Sequence, residues 1–192
     1  MNKKHQLISQ NVPEGKIVEI FGQDNVGKTY TILRLISDLK NKICLYVDAD
    51  RDLTREKLLK YGLSDRVIIV QPDSIEQTVN IIQQYLSVID IIVVDSTANL
   101  LPGNFKDTPV NMISWKDRVK GISVLLQRIV PLCDINKIIT IFVSQNRYDK
   151  DGNSYTTGGK ALRFAATIRL QVTEDDLKIV KNKTSVTILS SR

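Results

Sequence analysis

The run Gly22-Gln23-Asp24-Asn25-Val26-Gly27-Lys28-Thr29 constrains this chain more than any other stretch. It fits the pattern GxxxxGK[ST], and it lies between an apolar strand-like segment and an amphipathic helical one, the context that gives the pattern meaning. The glycines let the backbone curl so that its N–H groups face an anion, and the N-terminus of the following helix adds partial positive charge. Lys28 is placed to reach the β- and γ-phosphates of a nucleoside triphosphate, and the Thr29 hydroxyl to hold Mg2+. Gly22 to Thr29, with Tyr30 after them, form the expected phosphate-binding site. Such a loop needs a strand before it, a helix after it and further strands beside it.

The rest of the chain supplies them. Lys16 to Phe21 reads as the entering strand, and a helix runs from about Lys28 to Lys40 with Ile32, Leu35, Ile36 and Leu39 on one face. Ile43 to Asp48 reads as a second strand, Arg55–Tyr61 as a short helix closed by Gly62, and Val67 to Gln71 as a third strand. Asp73 and Glu76 have capping-box spacing before a helix that turns Ile75, Val79, Ile82 and Leu86 inward. The run IIVVD ends a fourth strand at Asp95. Ser114 and Asp117 open a helix bearing Ile122, Leu125, Leu126 and Ile129, and Ile138 to Gln145 forms a fifth strand. Strands this apolar are buried on both faces, so the expected fold is α/β: a mainly parallel central sheet with helices on both faces. TIRLQV, LKIV and TSVTIL read as antiparallel additions at a C-terminal edge. Thr97–Ser114 and Asn146–Gly158 read as irregular, and long loops in a small domain are usually functional or mobile.

Composition narrows the classes. With 192 residues, 42% hydrophobic and 25% charged, one domain spanning 1–192 is expected, with a short N-terminal segment 1–14 and no separate C-terminal domain. No apolar run reaches the ~18–20 residues of a membrane span, and no signal-peptide core follows the basic Met1 to His5, so a cytoplasmic setting is expected. Cys44 and Cys133 sit among apolar neighbours and read as buried free thiols. The net charge of +6 permits an anionic partner without naming one.

Three further groups carry chemistry. Asp95 ends an aliphatic strand, where a carboxylate beside the phosphate loop supports Mg2+. Asp50 follows the second strand and is placed to orient a hydrolytic water, with Asp48 and Asp52 as rivals. Arg147, Lys150, Lys160 and Arg163 alternate with Tyr148 and Tyr155: cations to neutralise phosphates, rings to stack on unpaired bases. Gly158 and Gly159 among them permit close backbone approach.

The motifs VEIFGQDNVGKT, YVDAD, IIVVDS, FVSQNR, TTGGKALRF and KIVKNK occur in the order and approximate spacing of the bacterial RecA recombinase core, which the chain resembles from about Gly15 to Ile188. RadA and the eukaryotic strand-exchange recombinases are more distant. The resemblance implies a RecA-like P-loop ATPase that uses ATP and Mg2+ and binds single-stranded DNA in recombination, annealing or repair. It puts Asp50 where the family has its catalytic glutamate, and Gln145 where the family has a glutamine that senses the γ-phosphate and signals to the second DNA loop, here Asn146 to Thr157. It matches Lys181 and Lys183 to lysines that reach a neighbouring subunit's ATP, implying a homo-oligomer on DNA. A first DNA loop, with Lys106, Trp115, Lys116 and Arg118, matches in position only.

The chain departs from the family's pattern at several points. Asp50 is one methylene shorter than glutamate, which implies slow hydrolysis, since a misplacement of ~1 Å costs on the order of 10²-fold. Lys57 stands where the family stacks a tyrosine on adenine, and Thr54 where it has an acid, which leaves ATP against GTP open. No full N-terminal docking arm is expected before Gly22; His5 to Ile8 offers at most a brief contact. The pattern resembles minimal phage RecA-like proteins and paralogues that assist a larger recombinase. The readings are therefore a DNA-dependent ATPase, a low-turnover nucleotide-gated mediator associated with a larger recombinase or replication protein, or an unrelated P-loop enzyme such as a small-molecule kinase.

Overall fold

Eight strands and five α-helices make up the described part of the computed structural model, which covers residues 12–105, 108, 112–174 and 176–182. In chain order they are β1 (Ile17–Gly22), α1 (Lys28–Asp38), β2 (Cys44–Asp48), α2 (Arg55–Lys60), β3 (Val67–Val70), α3 (Ile75–Tyr85) and β4 (Ile91–Asp95). After a 3-10 turn at Gly103–Phe105 come α4 (Trp115–Ile135), β5 (Ile139–Tyr148), β6 (Ser154–Thr156), α5 (Gly159–Ala165), β7 (Ile168–Val172) and β8 (Leu177–Asn182).

The sheet order is β3-β2-β4-β5-β1-β7-β8, with β6 attached to β5. Pairings from β3 to β7 are all parallel, as the apolar runs predict. Alternation along each strand divides the core in two. Cys44, Tyr46, Ile91 and Val93 face a cluster closed by α1 and α2, and Leu45, Val47, Ile92 and Val94 face one closed by α3, α4 and α5. Both cysteines are buried and free, as expected. Among the described residues no helix is long and apolar enough to cross a membrane.

Four expectations need correction. The start of α3 lies one residue later than Asp73 and Glu76 suggest. Asp73 is drawn into an ion pair with Arg51 at 2.8 Å, while Ser74 caps the helix by accepting from the Gln77 amide at 3.1 Å. Glu76 accepts from the Gly103 amide at 2.7 Å instead, fastening the loop after β4. By contrast, the Ser114–Asp117 box forms reciprocally. Asn146–Gly158 is not irregular: β5 runs on to Tyr148 and β6 folds back on it, pairing Arg147 with Tyr155. Helix α5 carries no closing glycine such as Gly62 after the six-residue α2, and its seven residues are too few for a repeating stripe. That helix supplies a crossover, so TIRLQV runs parallel to β1, and the expected antiparallel edge is formed by β8 on β7. TSVTIL lies outside the described residues.

Candidate nucleotide site and nucleic-acid cleft

The carboxyl ends of β1, β2, β4 and β5 open onto one edge of the sheet, the edge where parallel α/β sheets bind ligands. Gly22 at the end of β1 is paired with Gln145, and Asp48 with Asp95. The loop after β1 turns into α1 through left-handed backbone at Asn25 (φ 62°) and Gly27 (φ 89°). A side chain at Gly27 would be strained, so this glycine answers a backbone requirement. Gly22 answers a different one: a Cβ there would lie 2.3 Å from the Val172 carbonyl oxygen, so its smallness admits the end of β7. Gln23, Asp24 and Asn25 are exposed, while Val26 packs against the core under α1. The Lys28 ammonium donates to the Gln23 carbonyl across the loop. Partial burial holds this lysine below its ordinary pKa, with Asp24, Asp95 and Asp50 pulling the other way.

The acids sort themselves by contact. Asp95 is 7% exposed and accepts from the Thr29 hydroxyl at 3.2 Å and from the buried Tyr46 hydroxyl. Burial pushes its carboxyl up to about 6 against the hydrogen bond from Tyr46, with Asp50 adding repulsion. Asp48 serves the backbone: it accepts from the amides of Asp52 at 3.1 Å and Leu53 at 3.2 Å and from Gln71 at 3.0 Å. Asp52 is engaged by Lys57 at 2.7 Å. Asp50 is exposed and held against the end of β4 through its Oδ1, which accepts from the Ser96 amide and hydroxyl and from Asn99 at 2.8 Å. Of the three rivals, only Asp50 stands beside the Asp95 end without a structural duty in the β2 loop.

A hydroxyl cluster joins this edge to the hairpin β5–β6. The buried Thr97 hydroxyl lies 2.9 Å from that of Thr157 and 3.4 Å from that of Ser144. Thr157 Oγ1 accepts from the Gln145 amide at 2.9 Å, and the Thr157 amide donates to the Gln145 carbonyl at 3.0 Å. The Gln145 side chain accepts from Arg147 at 2.6 Å, and Arg147 also stands 3.9 Å from Asp24 of the phosphate loop. Arg147, expected among the nucleic-acid contacts, thus stands between Gln145 and the loop after β1.

The other basic residues gather around a cleft of about 960 Å3 between α4, the hairpin and α5. Tyr155, Lys160 and Arg163 line it, together with Gly159 and with Lys116 and Lys120 from the first turns of α4. Gly158 and Gly159 approach their own fold: a Cβ on Gly159 would lie 2.7 Å from a Val119 methyl of α4. Arg169, deep in the cleft, is neutralised by buried Glu19 and lies 4.4 Å from the centre of the Phe21 ring. Tyr148 and Lys150 are exposed toward the hairpin tip, away from the cleft lining. Asp149, an apparent obstacle to an anionic ligand, is consumed in the turn, accepting from the amides of Asp151 at 3.0 Å and Asn153 at 2.8 Å. In the first loop, Arg118 donates to the Ala98 carbonyl at 3.1 Å; Lys106 lies outside the described residues, as does the Trp115 side chain.

Lys181 on β8 donates to the carbonyls of Arg163 at 2.6 Å and Phe164 at 3.3 Å, satisfying the C-terminal end of α5. Lys183 lies outside the described residues. The sequence reading missed Tyr46, Ser96, Thr97, Ser144 and Lys120. Tyr46, Ser144 and Lys120 are ordinary strand or helix residues and Ser96 and Thr97 follow the end of β4; the part of each in the site comes from its neighbours in space.

A phosphate loop after β1, an acid at the end of β4 and one strand, β5, between them define a P-loop NTPase of RecA-like fold. A model of the RecA N-terminal domain matches residues 5–190, and the chain belongs to that family. It is 32% identical to Protein RecA of Rickettsia conorii over 198 aligned residues, covering 91% of this chain and 57% of that protein. Protein RecA of Petrotoga mobilis is 34% identical, covering 89% and 53%, and that of Paramagnetospirillum magnetotacticum 30%, covering 94% and 56%. The chain thus spans a little over half the length of the curated relatives it matches. Membership in this family displaces the reading as an unrelated small-molecule kinase.

Proposed function

We propose that this chain is a DNA-dependent ATPase that binds single-stranded DNA and acts in homologous recombination, annealing or repair. One RecA-like unit carries both activities, in a cytoplasmic setting. The observation that carries the reading is the double use of β5. Its Gln145 pairs with Gly22 of the phosphate loop, and the same strand continues as one arm of the hairpin beside the basic cleft.

The residues present fit ATP and Mg2+. Gly27 has the left-handed backbone that a curled anion-binding loop needs, Lys28 is the adjacent cation, and Thr29 and Asp95 already share a hydrogen bond. The amides of residues 22–29 and Lys28 would hold the triphosphate, and Thr29 with Asp95 would hold Mg2+. The metal, when bound, supplies charge neutralisation for phosphoryl transfer to water. Asp50 is the residue that orients the water. Gln145, tied to Arg147, reports the state of the phosphate end to the hairpin. In the cleft, Lys160, Arg163, Lys116 and Lys120 neutralise phosphates and Tyr155 offers a stacking face. Tyr148 and Lys150 extend that surface along the hairpin. Lys181 and Lys183 act across a subunit boundary, so the working form is a homo-oligomer on DNA.

One observation favours slow turnover. Three donors on Oδ1 hold the short Asp50 side chain against β4. A low-turnover, nucleotide-gated mediator that assists a larger recombinase is the second reading.

The deciding experiment is single-stranded DNA binding by fluorescence anisotropy with ATP, with ADP and without nucleotide, over a salt series. Tight binding that requires ATP and weakens steeply with salt is expected; no binding in any state would sink the recombinase reading. Lys28→Ala should abolish nucleotide binding or turnover. Normal turnover in that variant would remove the assignment of the phosphate loop.

A further inference from the structure

A nucleobase is tethered to its phosphates through the ribose, so whatever it stacks on must lie on the rim of the phosphate cradle. The first turn of α1 forms part of that rim. Tyr30 directly follows Thr29, its Cβ stands near Gly27 (a Cβ built on Gly27 would be 3.9 Å away), and the residue is 51% exposed. Its ring meets that of Tyr61 edge-to-face, with centroids 5.9 Å apart and planes at 73°. Such pairs favour a fixed ring orientation. Tyr61 is well anchored: it caps the C-terminus of α2, packs on the core beneath α1, and its carbonyl accepts from Ser37 of α1 at 3.2 Å.

The neighbouring face of α2 has no such surface to offer. Lys57, one turn before Tyr61, is tied down by the Asp52 carboxylate at 2.7 Å and carbonyl at 2.8 Å. The Thr54 hydroxyl is used as the α2 cap, accepting from the Lys57 amide at 3.3 Å.

We propose that Tyr30, backed by Tyr61, is the stacking surface for the base of the bound nucleoside triphosphate. The assignment rests on the nucleotide reading above and deepens it. A ring face selects by π-area and not by the hydrogen-bonding edge, because every base has a π-face. The site therefore takes ATP and GTP with similar affinity and favours both over CTP.

The test is titration calorimetry of the whole chain with MgATP, MgGTP, MgCTP and magnesium tripolyphosphate, repeated on Tyr30→Ala, Tyr30→Phe and Tyr61→Leu. Circular dichroism checks that each variant is folded. Tyr30→Ala should weaken ATP and GTP about 5- to 100-fold while weakening tripolyphosphate far less. Tyr30→Phe should keep the parent's affinities, and Tyr61→Leu should fall between. The assignment is overturned if Tyr30→Ala binds ATP as the parent does, if it loses ATP and tripolyphosphate equally, or if the parent strongly prefers ATP over GTP. A parent that binds tripolyphosphate but gains nothing from the base leaves the phosphate site standing and removes only the stacking surface. A parent that binds neither overturns both.

Discussion

Asp95 carries two demands that pull in opposite directions. In the proposed reading it must be ionised to meet a divalent cation, yet the fold buries it between Tyr46 and Thr29 and raises its carboxyl to about 6. In the cation-free chain the folded value exceeds the unfolded one of about 3.9. Its contribution to stability is then complete below the unfolded value and is lost as pH rises through about 6. In EDTA, the parent should lose on the order of 2 kcal/mol more than Asp95→Asn between pH 4 and pH 7 in urea titrations. Parallel profiles for the two proteins would mean that Asp95 ionises normally. Mg-nucleotide affinity should move the other way, rising across the same interval.

At the scale of elements, the joint between β4 and the hairpin is built from hydroxyls and not from apolar packing. Thr97, Ser144 and Thr157 meet in a pocket where each is at most 5% exposed, and Thr157 also receives the Gln145 amide. A buried hydroxyl stripped of its partner costs about 1–3 kcal/mol. Thr97→Val, nearly the same shape, should therefore lower unfolding stability by about that amount, and Thr97→Ser should recover most of it. If valine proves as stable as threonine in a denaturant titration, the cluster contributes nothing to the joint. The joint matters to function in the proposed reading because it positions Gln145 and Gly158 together, at the two ends of the hairpin.

The whole molecule places β8, the outermost strand among the described residues, against α5, so that Lys181 completes the end of a helix whose start faces the basic cleft. In the proposed oligomer this strand also meets a neighbour. Lys181→Ala combined with Lys183→Ala should reduce ATP turnover at concentrations where the chain self-associates on DNA. In a sample shown by sedimentation to be monomeric, it should leave the residual rate unchanged. Equal loss in both samples would assign the lysines to the chain's own site and refute the shared one.

Much of this architecture was legible in the residues alone. The glycine-lysine-threonine loop, the aliphatic runs ending in Asp48 and Asp95 and the helical stripes are local patterns, and local patterns dictate a parallel α/β sheet with a phosphate loop after its first strand. They also carry enough of the RecA signature to identify the family. Tertiary structure decided what depends on through-space neighbours: that Asp48 braces a loop while Asp50 faces Ser96, and that Arg147 turns toward Asp24 and Gln145. It also decided that Lys120 of α4 joins Lys160 and Arg163 across a cleft, and that the seven-residue α5 reverses the direction expected of β7. Periodicity reports which face of an element is buried, but the partner of a polar side chain is set by which strands the crossovers bring together, and no repeat in the chain encodes that.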